Sequence, residues 1–248
     1  MRLKDKVILI TGGTAGIGKA SVEASLKEGA IVFFTGRNLN KINILQKNWG
    51  KKSFGIQSDA GHLQQQQKLV NELKQRGVIF DAIFFNAGDV THAPLHDWDS
   101  ELYDQVFNTN VKAPFFLLQQ IIPLLNTNSS IIFCGSTSIH IGLAQSSVYA
   151  ASKAALRSLV KTLSSEFLEQ KFRFNLLSPG PTQTEAFEKL GLIEHAKETI
   201  LNSIKNLVPL KRFGTPQELA AALVFLASDE SKFMLGTEIL VDGGVANL

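Results

Sequence analysis

The fold of this chain is decided near its start, by the stretch Val7-Ile8-Leu9-Ile10-Thr11-Gly12-Gly13-Thr14-Ala15-Gly16-Ile17-Gly18. The apolar run Val7–Ile10 is typical of a strand buried on both faces of a parallel sheet. A helical pattern follows the glycines and runs from Lys19 to Glu28. Between a strand and a helix, a glycine turn lets the backbone approach a pyrophosphate, which the free N–H groups of the helix N-terminus stabilise. We therefore interpret this stretch as a dinucleotide-binding turn, spaced G-x-x-x-G-x-G. A glycine turn without a ligand is the alternative, which the flanking strand and helix disfavour.

Apolar runs and helical patterns alternate from here to the end of the chain. Further strands are predicted at Ile31–Thr35, Ser53–Gln57, Phe80–Phe85, Ile131–Cys134, Phe172–Leu177 and Glu238–Val241. One long helix, or a helix made irregular by Pro114, is predicted over Asp99–Leu125, and Thr215 is predicted to cap a later helix. This alternation predicts an α/β fold, a Rossmann-like doubly wound parallel sheet of about seven strands with helices on both faces. No linker or repeat divides residues 1–248, so we predict a single domain.

Composition narrows the function classes. Of the 248 residues 44% are hydrophobic and 19% charged, which suits a globular protein with a sizeable core. The net charge of +3 is small and scattered, so we expect no nucleic-acid partner. The single cysteine, Cys134, excludes an internal disulfide and fits a reducing compartment. With no signal-peptide layout at Met1–Lys6 and no long apolar stretch, we expect a cytoplasmic protein without membrane contact. The histidines follow no metal-ligand pattern, so we expect no metal site.

Small and polar residues follow the predicted strands at their carboxyl ends, where ligands of open α/β sheets bind. They are Gly12 to Gly18, Arg37, Asp59, Asn86 to Gly88, Ser136 and Pro179-Gly180. This convergence predicts one shared site.

Arg37 indicates which dinucleotide is preferred. Sites for NAD usually place Asp or Glu at the end of the second strand, where it binds the ribose 2′-hydroxyl. Here Gly36 occupies that place and Arg37 follows, so no carboxylate repels a 2′-phosphate and a guanidinium is present to bind it. We predict NADP(H), with NAD(H) as the alternative if Arg37 is only a solvated loop cation.

The stretch Ser147-Val148-Tyr149-Ala150-Ala151-Ser152-Lys153 carries a candidate proton-transfer pair. On a helix, Tyr149 and Lys153 lie one turn apart on one face. A tyrosine hydroxyl ordinarily titrates near pH 10, and an ammonium held beside it favours the phenolate. Such a spacing also occurs on many surface helices, so the pair gains its meaning from the other motifs.

Taken together, these motifs resemble the classical short-chain dehydrogenases/reductases over nearly the whole chain, from Lys6 to Gly244. The matching residues are Thr11-Gly12 with Gly16-Ile17-Gly18, Asn86-Ala87-Gly88, Asn110, Ser136, Tyr149 with Lys153, and Pro179-Gly180 with Thr184. Two departures are visible. Phe85 precedes Asn86-Ala87-Gly88 where the family often has Asn, and Ala15 replaces a basic residue that many NADPH-binding members carry, so the NADP(H) prediction rests on Arg37.

The resemblance implies a catalytic set of four residues. Tyr149 would protonate the carbonyl oxygen during reduction, or accept the proton in the reverse direction. Lys153 would favour the ionised tyrosine and bind the nicotinamide ribose, and Ser136 would hold the substrate oxygen. Asn110 would keep a water that relays protons from Lys153 to solvent. The predicted cofactor contacts are Gly12, Thr14, Gly16, Ile17, Gly18, Arg37, Asp59, Ala60, Asn86, Ala87, Gly88, Tyr149, Lys153, Pro179, Gly180, Thr182 and Thr184.

The substrate is not identified by the sequence beyond a small carbonyl or alcohol compound. In this family the segment after Pro179-Gly180 closes the pocket, and here residues 183–210 form an apolar candidate lid. The predicted substrate contacts are Ser136, Ser138, His140, Gln145, Tyr149 and Phe187. His140 can equally be an ordinary loop histidine.

The resemblance also implies a homotetramer that pairs through the helices over 99–125 and 148–169. The alternatives for function are a dinucleotide-binding sensor or scaffold, an NAD-preferring alcohol dehydrogenase, and an epimerase or dehydratase.

Overall fold

A single parallel sheet organises the chain in this computed structural model, which describes residues 1–185 and 194–248. Its strands are β1 (Val7–Ile10), β2 (Ile31–Gly36), β3 (Ser53–Gln57), β4 (Phe80–Phe85), β5 (Leu125–Cys134), β6 (Arg173–Pro179) and β7 (Glu238–Val241). Their order across the sheet is β3-β2-β1-β4-β5-β6-β7, and every neighbouring pair is parallel. The predicted doubly wound fold is therefore confirmed. Because the winding reverses between β1 and β4, the ligand crevice of such a sheet lies at the carboxyl ends of these two strands.

Helices cover both faces of the sheet. In the described part of the chain they are α1 (Gly16–Lys27), α2 (Leu39–Trp49), α3 (Leu63–Gln75), α4 (Ser100–Phe107), α5 (Ala113–Ile121), α6 (Ser147–Glu166), α7 (Glu194–Leu207) and α8 (Pro216–Ala227). One apolar core joins the sheet to α3, α5 and α6, and a second joins it to α1, α2 and α8. None of the helices in this part combines the length and apolar character that crossing a lipid bilayer requires.

Of the two alternatives predicted over Asp99–Leu125, one uninterrupted helix is wrong, and an irregularity near Pro114 is present. The structure has α4, a π-helical turn over Asn108–Lys112 and then α5. Pro114 explains the interruption, because its nitrogen cannot donate the i→i−4 bond that the carbonyl of Asn110 would otherwise accept. Single π-turns of this kind occur frequently at functional sites.

The fifth strand is longer than the apolar pattern predicts. Pairing begins at Leu125, and the register with β4 shifts between Phe80 and Ala82. The added residues after Leu125 are polar, and some of their side chains form hydrogen bonds with the neighbouring strand. The Ser129 hydroxyl, for example, donates to the Phe80 carbonyl of β4 over 2.8 Å. The pairing of this segment with β4 therefore cannot be recognised from the pattern of apolar residues.

The predicted cap of α8 is confirmed as a reciprocal capping box. The Thr215 hydroxyl accepts from the Glu218 N–H over 3.3 Å, and the Glu218 carboxylate accepts from the Thr215 N–H over 2.7 Å. Hydrogen bonds from the Arg212 guanidinium, together with those from Thr215, lower the pKa of Glu218 to about 2. The helix start is therefore fixed by local side chains.

Arg173 closes the other end of α8. Its buried guanidinium donates to the carbonyl oxygens of Leu226, Ser228 and Ser231 over 2.7–3.4 Å, which are groups that a helix leaves unsatisfied at and beyond its last turn. A cation at a helix C-terminus is also favoured by the helix dipole. One side chain of β6 thereby anchors α8 against the sheet.

We expect Arg173→Met to lower the free energy of unfolding by about 2–4 kcal/mol, because it removes three buried hydrogen bonds made by a charged donor, although each of the three carbonyls keeps another donor. Arg76→Met is the matched control. Arg76 pairs with Glu72 on the exposed surface of α3, and its loss should cost less than about 1 kcal/mol. Urea unfolding followed by circular dichroism measures both, and equal costs for the two variants would contradict the anchoring role of Arg173.

Candidate active site

The glycine turn between β1 and α1 is folded so tightly that side chains cannot enter it. Gly12 has a φ of +67°, and a Cβ on Gly18 would lie 2.3 Å from the Gly12 carbonyl oxygen. Thr35 at the end of β2 braces the turn, since its hydroxyl accepts from the Gly12 N–H over 3.2 Å. Helix α1 begins after Ala15, and no described side chain caps it. The first N–H groups of α1 are therefore left for an anion.

The carboxyl ends of β1 and β4 are tied together beside this turn. The Thr11 hydroxyl accepts from the N–H groups of Asn86 and Ala87, each over 3.0 Å. In return, the Asn86 side-chain amide donates to the carbonyls of Thr11 and Gly12 over 3.0 and 3.3 Å. The predicted contact residues Asn86 and Ala87 thus lie against Gly12, and their side chains stabilise the crevice.

A cavity of about 920 Å³ extends from the glycine turn toward α3 and α4. Its lining includes the predicted residues Gly12, Thr14, Arg37, Asp59, Ala60, Asn86, Ala87 and Gly88, together with Asp89, Gln105 and Thr109. The sequence therefore found most of the lining, including Asn86 to Gly88 directly after β4, and it missed Asp89, Gln105 and Thr109, which form the wall beyond them.

Asp89 is the charged group of the missed wall. Its burial acts to raise its pKa, but hydrogen bonds from Thr91 and Gln105 outweigh this effect, and the pKa of Asp89 is lowered. The positive charge of Arg37 acts in the same direction. Arg37 itself is exposed at the cavity edge, and among the described residues its guanidinium has no hydrogen-bond or ion-pair partner.

The segment after β6 forms the opposite wall of the crevice. Gly180 lies so close to β7 that a Cβ on it would come within 2.5 Å of the Asp242 Cα. The Thr182 hydroxyl donates to the Gly180 carbonyl over 2.9 Å, and Thr184 approaches Gly16, whose added Cβ would lie 3.3 Å from the Thr184 Cγ2. Of these predicted residues Thr184 lies against the glycine turn, whereas Gly180 packs against the end of β7 and Thr182 bonds to Gly180.

Tyr149 and Lys153 lie on α6 as predicted, one turn apart, with the Lys153 Nζ 5.7 Å from the centre of the tyrosine ring. Lys153 is only 4% exposed, and its ammonium donates to the Cys134 carbonyl over 2.8 Å. An ammonium has three donors, and among the described groups only this carbonyl accepts from it. Gly88 keeps the space beside Nζ open, since a Cβ on it would lie 3.5 Å away.

Asn110 occupies the π-turn, and its side chain is 1% exposed. Its Oδ1 accepts from the Asp89 N–H over 2.7 Å, and its Nδ2 donates to the Asp89 carbonyl and the Ser152 hydroxyl over 2.9 and 3.0 Å. The amide therefore connects the loop after β4 to α6. The water that Asn110 is expected to keep for a proton relay stays a prediction.

Ser136 ends β5 and caps the short turn Thr137–Ile139. Its Oγ accepts from the Ser138 N–H over 3.2 Å and from the Ser138 hydroxyl over 2.9 Å. A hydroxyl has two acceptor sites and one donor. With both acceptor sites filled by Ser138, the O–H of Ser136 is left to donate, which is the orientation that binding a substrate oxygen requires.

The remaining predicted substrate contacts are placed differently. His140 bonds through Nε2 to Glu238 Oε1 over 2.9 Å, in a half-buried cluster that also holds Arg157 and Ser178, so this nitrogen is engaged with β7. Gln145 has a φ of +67°, and its carbonyl accepts from the Ala93 N–H over 3.0 Å. Phe187 and the rest of 186–193 lie outside the described residues.

His92 contacts Tyr149 although the sequence assigned it no role. Its ring centre lies 5.0 Å from that of Tyr149 at an interplanar angle of 60°, and its Nδ1 is 2.9 Å from the Ser146 Oγ. The residue keeps an exposed edge, yet neighbouring atoms crowd the ring. This burial lowers the pKa of His92 below 6.5, and the charge of Asp89 opposes the shift. The sequence signal that could have indicated a role for His92 was its position shortly after Gly88, a predicted cofactor contact.

Among the side chains that the structure describes, no group of three or more His, Cys, Asp or Glu is arranged to hold a metal ion. The donors of the crevice are backbone N–H groups, hydroxyls, the buried Lys153 ammonium and the exposed Arg37 guanidinium, and the carboxylates of Asp59 and Asp89 also line the cavity. This donor set suits a phosphate-bearing organic ligand better than a cation.

Known proteins are similar to this chain over almost its whole length. A family model described as enoyl-(acyl carrier protein) reductase matches residues 12–246. The chain is 37% identical to an oxidoreductase of Sarocladium schorii, covering 100% of this chain and 98% of that protein. It is 35% identical to the 3-oxoacyl-(acyl-carrier-protein) reductase of Thermotoga maritima, covering 99% of both. A solved structure described as a short chain dehydrogenase/reductase family protein matches with a TM-score of 0.85 and 34% identity over 100% of both chains.

The environment of His92 can be tested by nuclear magnetic resonance. We expect its imidazole to titrate below 6.5, and Asp89→Asn to lower that pKa further, because the substitution removes the charge that favours the imidazolium. Since the folded-state pKa lies below that of the unfolded chain, His92 contributes stability that is present above about pH 6.5 and lost as the pH falls. Long-range ¹H–¹⁵N spectra recorded from pH 4 to 8 measure both values. A higher His92 pKa in Asp89→Asn would contradict this account.

Proposed function

The chain belongs to the short-chain dehydrogenase/reductase family, and from this premise we propose that it is an NADP(H)-dependent oxidoreductase that interconverts a ketone or aldehyde with an alcohol. The observation that carries the proposal is the buried Lys153 ammonium. It lies beside the Tyr149 ring and at Gly88 of the large cavity, with donors to spare after its bond to Cys134. A buried charge with unused donors is costly unless a ligand completes its contacts, so its place between tyrosine and cavity favours a reactive role.

The crevice fits a nicotinamide dinucleotide. Gly12, Gly16 and Gly18 leave room for a pyrophosphate to approach the backbone, and the uncapped start of α1 offers it N–H groups. The adenosine half would lie in the cavity near Asp59 and Ala60, and the nicotinamide half between Thr184 and Lys153. When bound, the nicotinamide gives or takes the hydride.

The protein's own residues would handle the substrate oxygen and the proton. Ser136 donates its free O–H to the carbonyl oxygen and so fixes the carbonyl beside Tyr149. Tyr149 donates its phenolic proton to the same oxygen, and the adjacent Lys153 ammonium stabilises the phenolate that remains. Lys153 would also bind the ribose hydroxyls. In the direction of alcohol oxidation each residue keeps its place and the proton moves the other way.

Arg37 supports NADP(H) as the preferred cofactor. It lies at the cavity edge after β2 without a described ion-pair partner, and the preceding Gly36 carries no charge to repel a 2′-phosphate. A Cβ on Gly36 would lie 2.5 Å from the Thr14 Cγ2, so the carboxylate typical of NAD sites has no room here without movement of Thr14. Steric and electrostatic reasons therefore favour the same cofactor.

Tyr149→Phe tests the proton-transfer role. We expect it to lower kcat for carbonyl reduction by about a hundredfold to ten-thousandfold, because the ring remains and the proton donor is lost. Tyr103→Phe on α4 is the matched control, since its ring is exposed and stacked on Phe107. The assay follows NADPH absorbance over a panel of ketones and aldehydes. Equal turnover by wild type and Tyr149→Phe would refute the role. Tight NADPH binding without turnover on any substrate would instead support a dinucleotide sensor.

Arg37→Ala tests the cofactor preference. We expect wild type to bind NADPH about tenfold to a hundredfold more tightly than NADH, since a charge-assisted contact forms with only one of them. The substitution should remove most of this preference and leave NADH binding nearly unchanged, and added salt should weaken NADPH binding in wild type. Fluorescence titration measures both cofactors, with Arg76→Ala on α3 as the control. A wild-type preference for NADH, or equal weakening of both cofactors, would show that Arg37 does not bind a 2′-phosphate.

We also propose a homotetramer, with one contact through α4, α5 and α6 and another near β7. Apolar side chains are exposed on these surfaces, among them Tyr103 and Phe115 on the helices and Phe233 near the C-terminus. Light scattering at micromolar concentration should give a mass of four chains, and Phe115→Asp should lower it. Leu63→Asp is the control, because Leu63 is as exposed as Phe115 but lies on α3. A monomeric wild type would refute the proposal.

A further inference from the structure

We propose that His92 is a specificity-determining residue whose Nε2–H donates a hydrogen bond to a second acceptor atom of the substrate, next to the carbonyl that Tyr149 protonates. This inference rests on the proposed function. It identifies the favoured substrates as neutral carbonyl compounds that carry a further oxygen close to the reacting carbonyl.

The position of His92 supports this role. Its ring packs against the Tyr149 ring, with centres 5.0 Å apart, so both side chains can reach the same small molecule. The residue keeps an exposed edge, and among the residues that the structure describes none bonds its Nε2. A polar nitrogen is thereby presented at the side of the tyrosine where substrate would approach.

Ser146 fixes which nitrogen of the ring carries the proton. Its hydroxyl is 1% exposed, and His92 Nδ1 is its only described partner, at 2.9 Å. A buried hydroxyl needs an acceptor for its proton, and the lone pair of Nδ1 supplies it. The neutral imidazole then has its remaining proton on Nε2.

The start of α6 gives a second, independent observation. Ser146 is the N-cap residue of α6, a place where a serine oxygen normally accepts from the N–H groups of the first turn. Here the side chain makes no capping bond and contacts His92 instead. The helix forgoes a local stabilising bond at the turn that carries Tyr149, which indicates that the orientation of His92 matters for the site.

The loop that carries His92 is itself fixed. The Ala93 N–H donates to the Gln145 carbonyl over 3.0 Å, and the Trp98 Nε1 donates to the Ala93 carbonyl over 2.9 Å. These bonds tie the loop after β4 to the segment before α6. His92 therefore meets a substrate in a prearranged position, which lowers the entropy cost of recognition.

The charge near His92 favours a neutral over an anionic substrate oxygen as its hydrogen-bond acceptor. The charged group that acts on His92 is Asp89, whose carboxylate is held by Thr91 and Gln105. Burial lowers the pKa of His92, although this carboxylate acts to raise it, and the lower pKa favours the neutral imidazole. A neutral N–H beside an anion suits a carbonyl, ester or hydroxyl oxygen, whereas a substrate carboxylate would be repelled by Asp89.

Two ketones of similar size separate this role from simple packing. Ethyl 3-oxobutanoate has a second carbonyl oxygen near the reacting one, and 2-octanone has none. With NADPH, we expect His92→Phe to lower the ratio of kcat/KM for ethyl 3-oxobutanoate to that for 2-octanone by about tenfold to a hundredfold, mostly through KM. Phenylalanine retains the ring contact with Tyr149 and removes the N–H. Ser146→Ala should lower the same ratio by a smaller factor.

His96→Phe is the matched control, because His96 lies on the same loop but is exposed and has Asp97 as its described partner. It should leave the ratio within about threefold of wild type. An unchanged ratio in His92→Phe, or an equal drop in His96→Phe, would overturn the proposal.

Binding in the presence of NADP⁺ distinguishes failure of this proposal from failure of the proposed function, because no ketone can be reduced by the oxidised cofactor. His92→Phe should raise the Kd of ethyl 3-oxobutanoate about tenfold and that of 2-octanone much less. If wild type reduces neither ketone but this difference in Kd is found, the oxidoreductase function fails and the role of His92 stands. If wild type reduces both ketones and neither Kd nor ratio changes, or if neither ketone binds, the role of His92 is refuted.

Discussion

The site depends on the close approach of β1 and β4 at their carboxyl ends. These strands are neighbours in the sheet although two strands and three helices separate them in the chain. The Thr11 hydroxyl meets two backbone N–H groups of the β4 end, and the Asn86 amide meets two carbonyls of the β1 end. Where the two strands diverge, their backbone groups no longer pair with each other, so the side chains of Thr11 and Asn86 form hydrogen bonds with these groups. The crevice opens at this point, between walls already fixed by hydrogen bonds.

A second constraint follows from burying an ammonium at the same edge. Lys153 is held under the end of β5 by the Cys134 carbonyl, while Asn110 and Ser152 connect α6 to the loop after β4. Desolvating this charge is unfavourable unless its remaining donors find partners. Gly88 keeps the space in front of it open rather than filling it with a side chain. The fold therefore maintains a buried cation beside Tyr149 at a cost in stability, a pattern common at sites that bind and transform ligands.

The sequence predicted the sheet well because buried parallel strands are continuous apolar runs, and runs such as Val7–Ile10 need no partner to be recognised. It also predicted the cap of α8, since Thr215 and Glu218 interact locally. It failed where partners are distant in the chain. The polar first half of β5 pairs with β4 through Leu125 and Phe80. His140, a predicted substrate contact, bonds to Glu238 of β7. The sequence also did not predict the contact of His92 with Tyr149, because the two residues are distant in the chain and no local sequence pattern links them.

Local rules of helix structure are broken where the candidate reaction would occur. Helix α1 starts at Ala15 without a side-chain cap, α6 starts at Ser146 with its hydroxyl turned to His92, and the π-turn at Asn110 leaves a carbonyl that Pro114 cannot serve. Elsewhere α2 and α8 are capped in the ordinary way, by Asn38 and Thr215. The start of α1 leaves backbone N–H groups at the glycine turn, and the start of α6 leaves the Ser146 hydroxyl on His92 beside Tyr149. Helix α3 also starts without a side-chain cap, at His62 in the cavity lining. Because such exceptions lower stability without improving packing, their position around the crevice favours the proposal that ligand contacts, rather than folding, determine these residues.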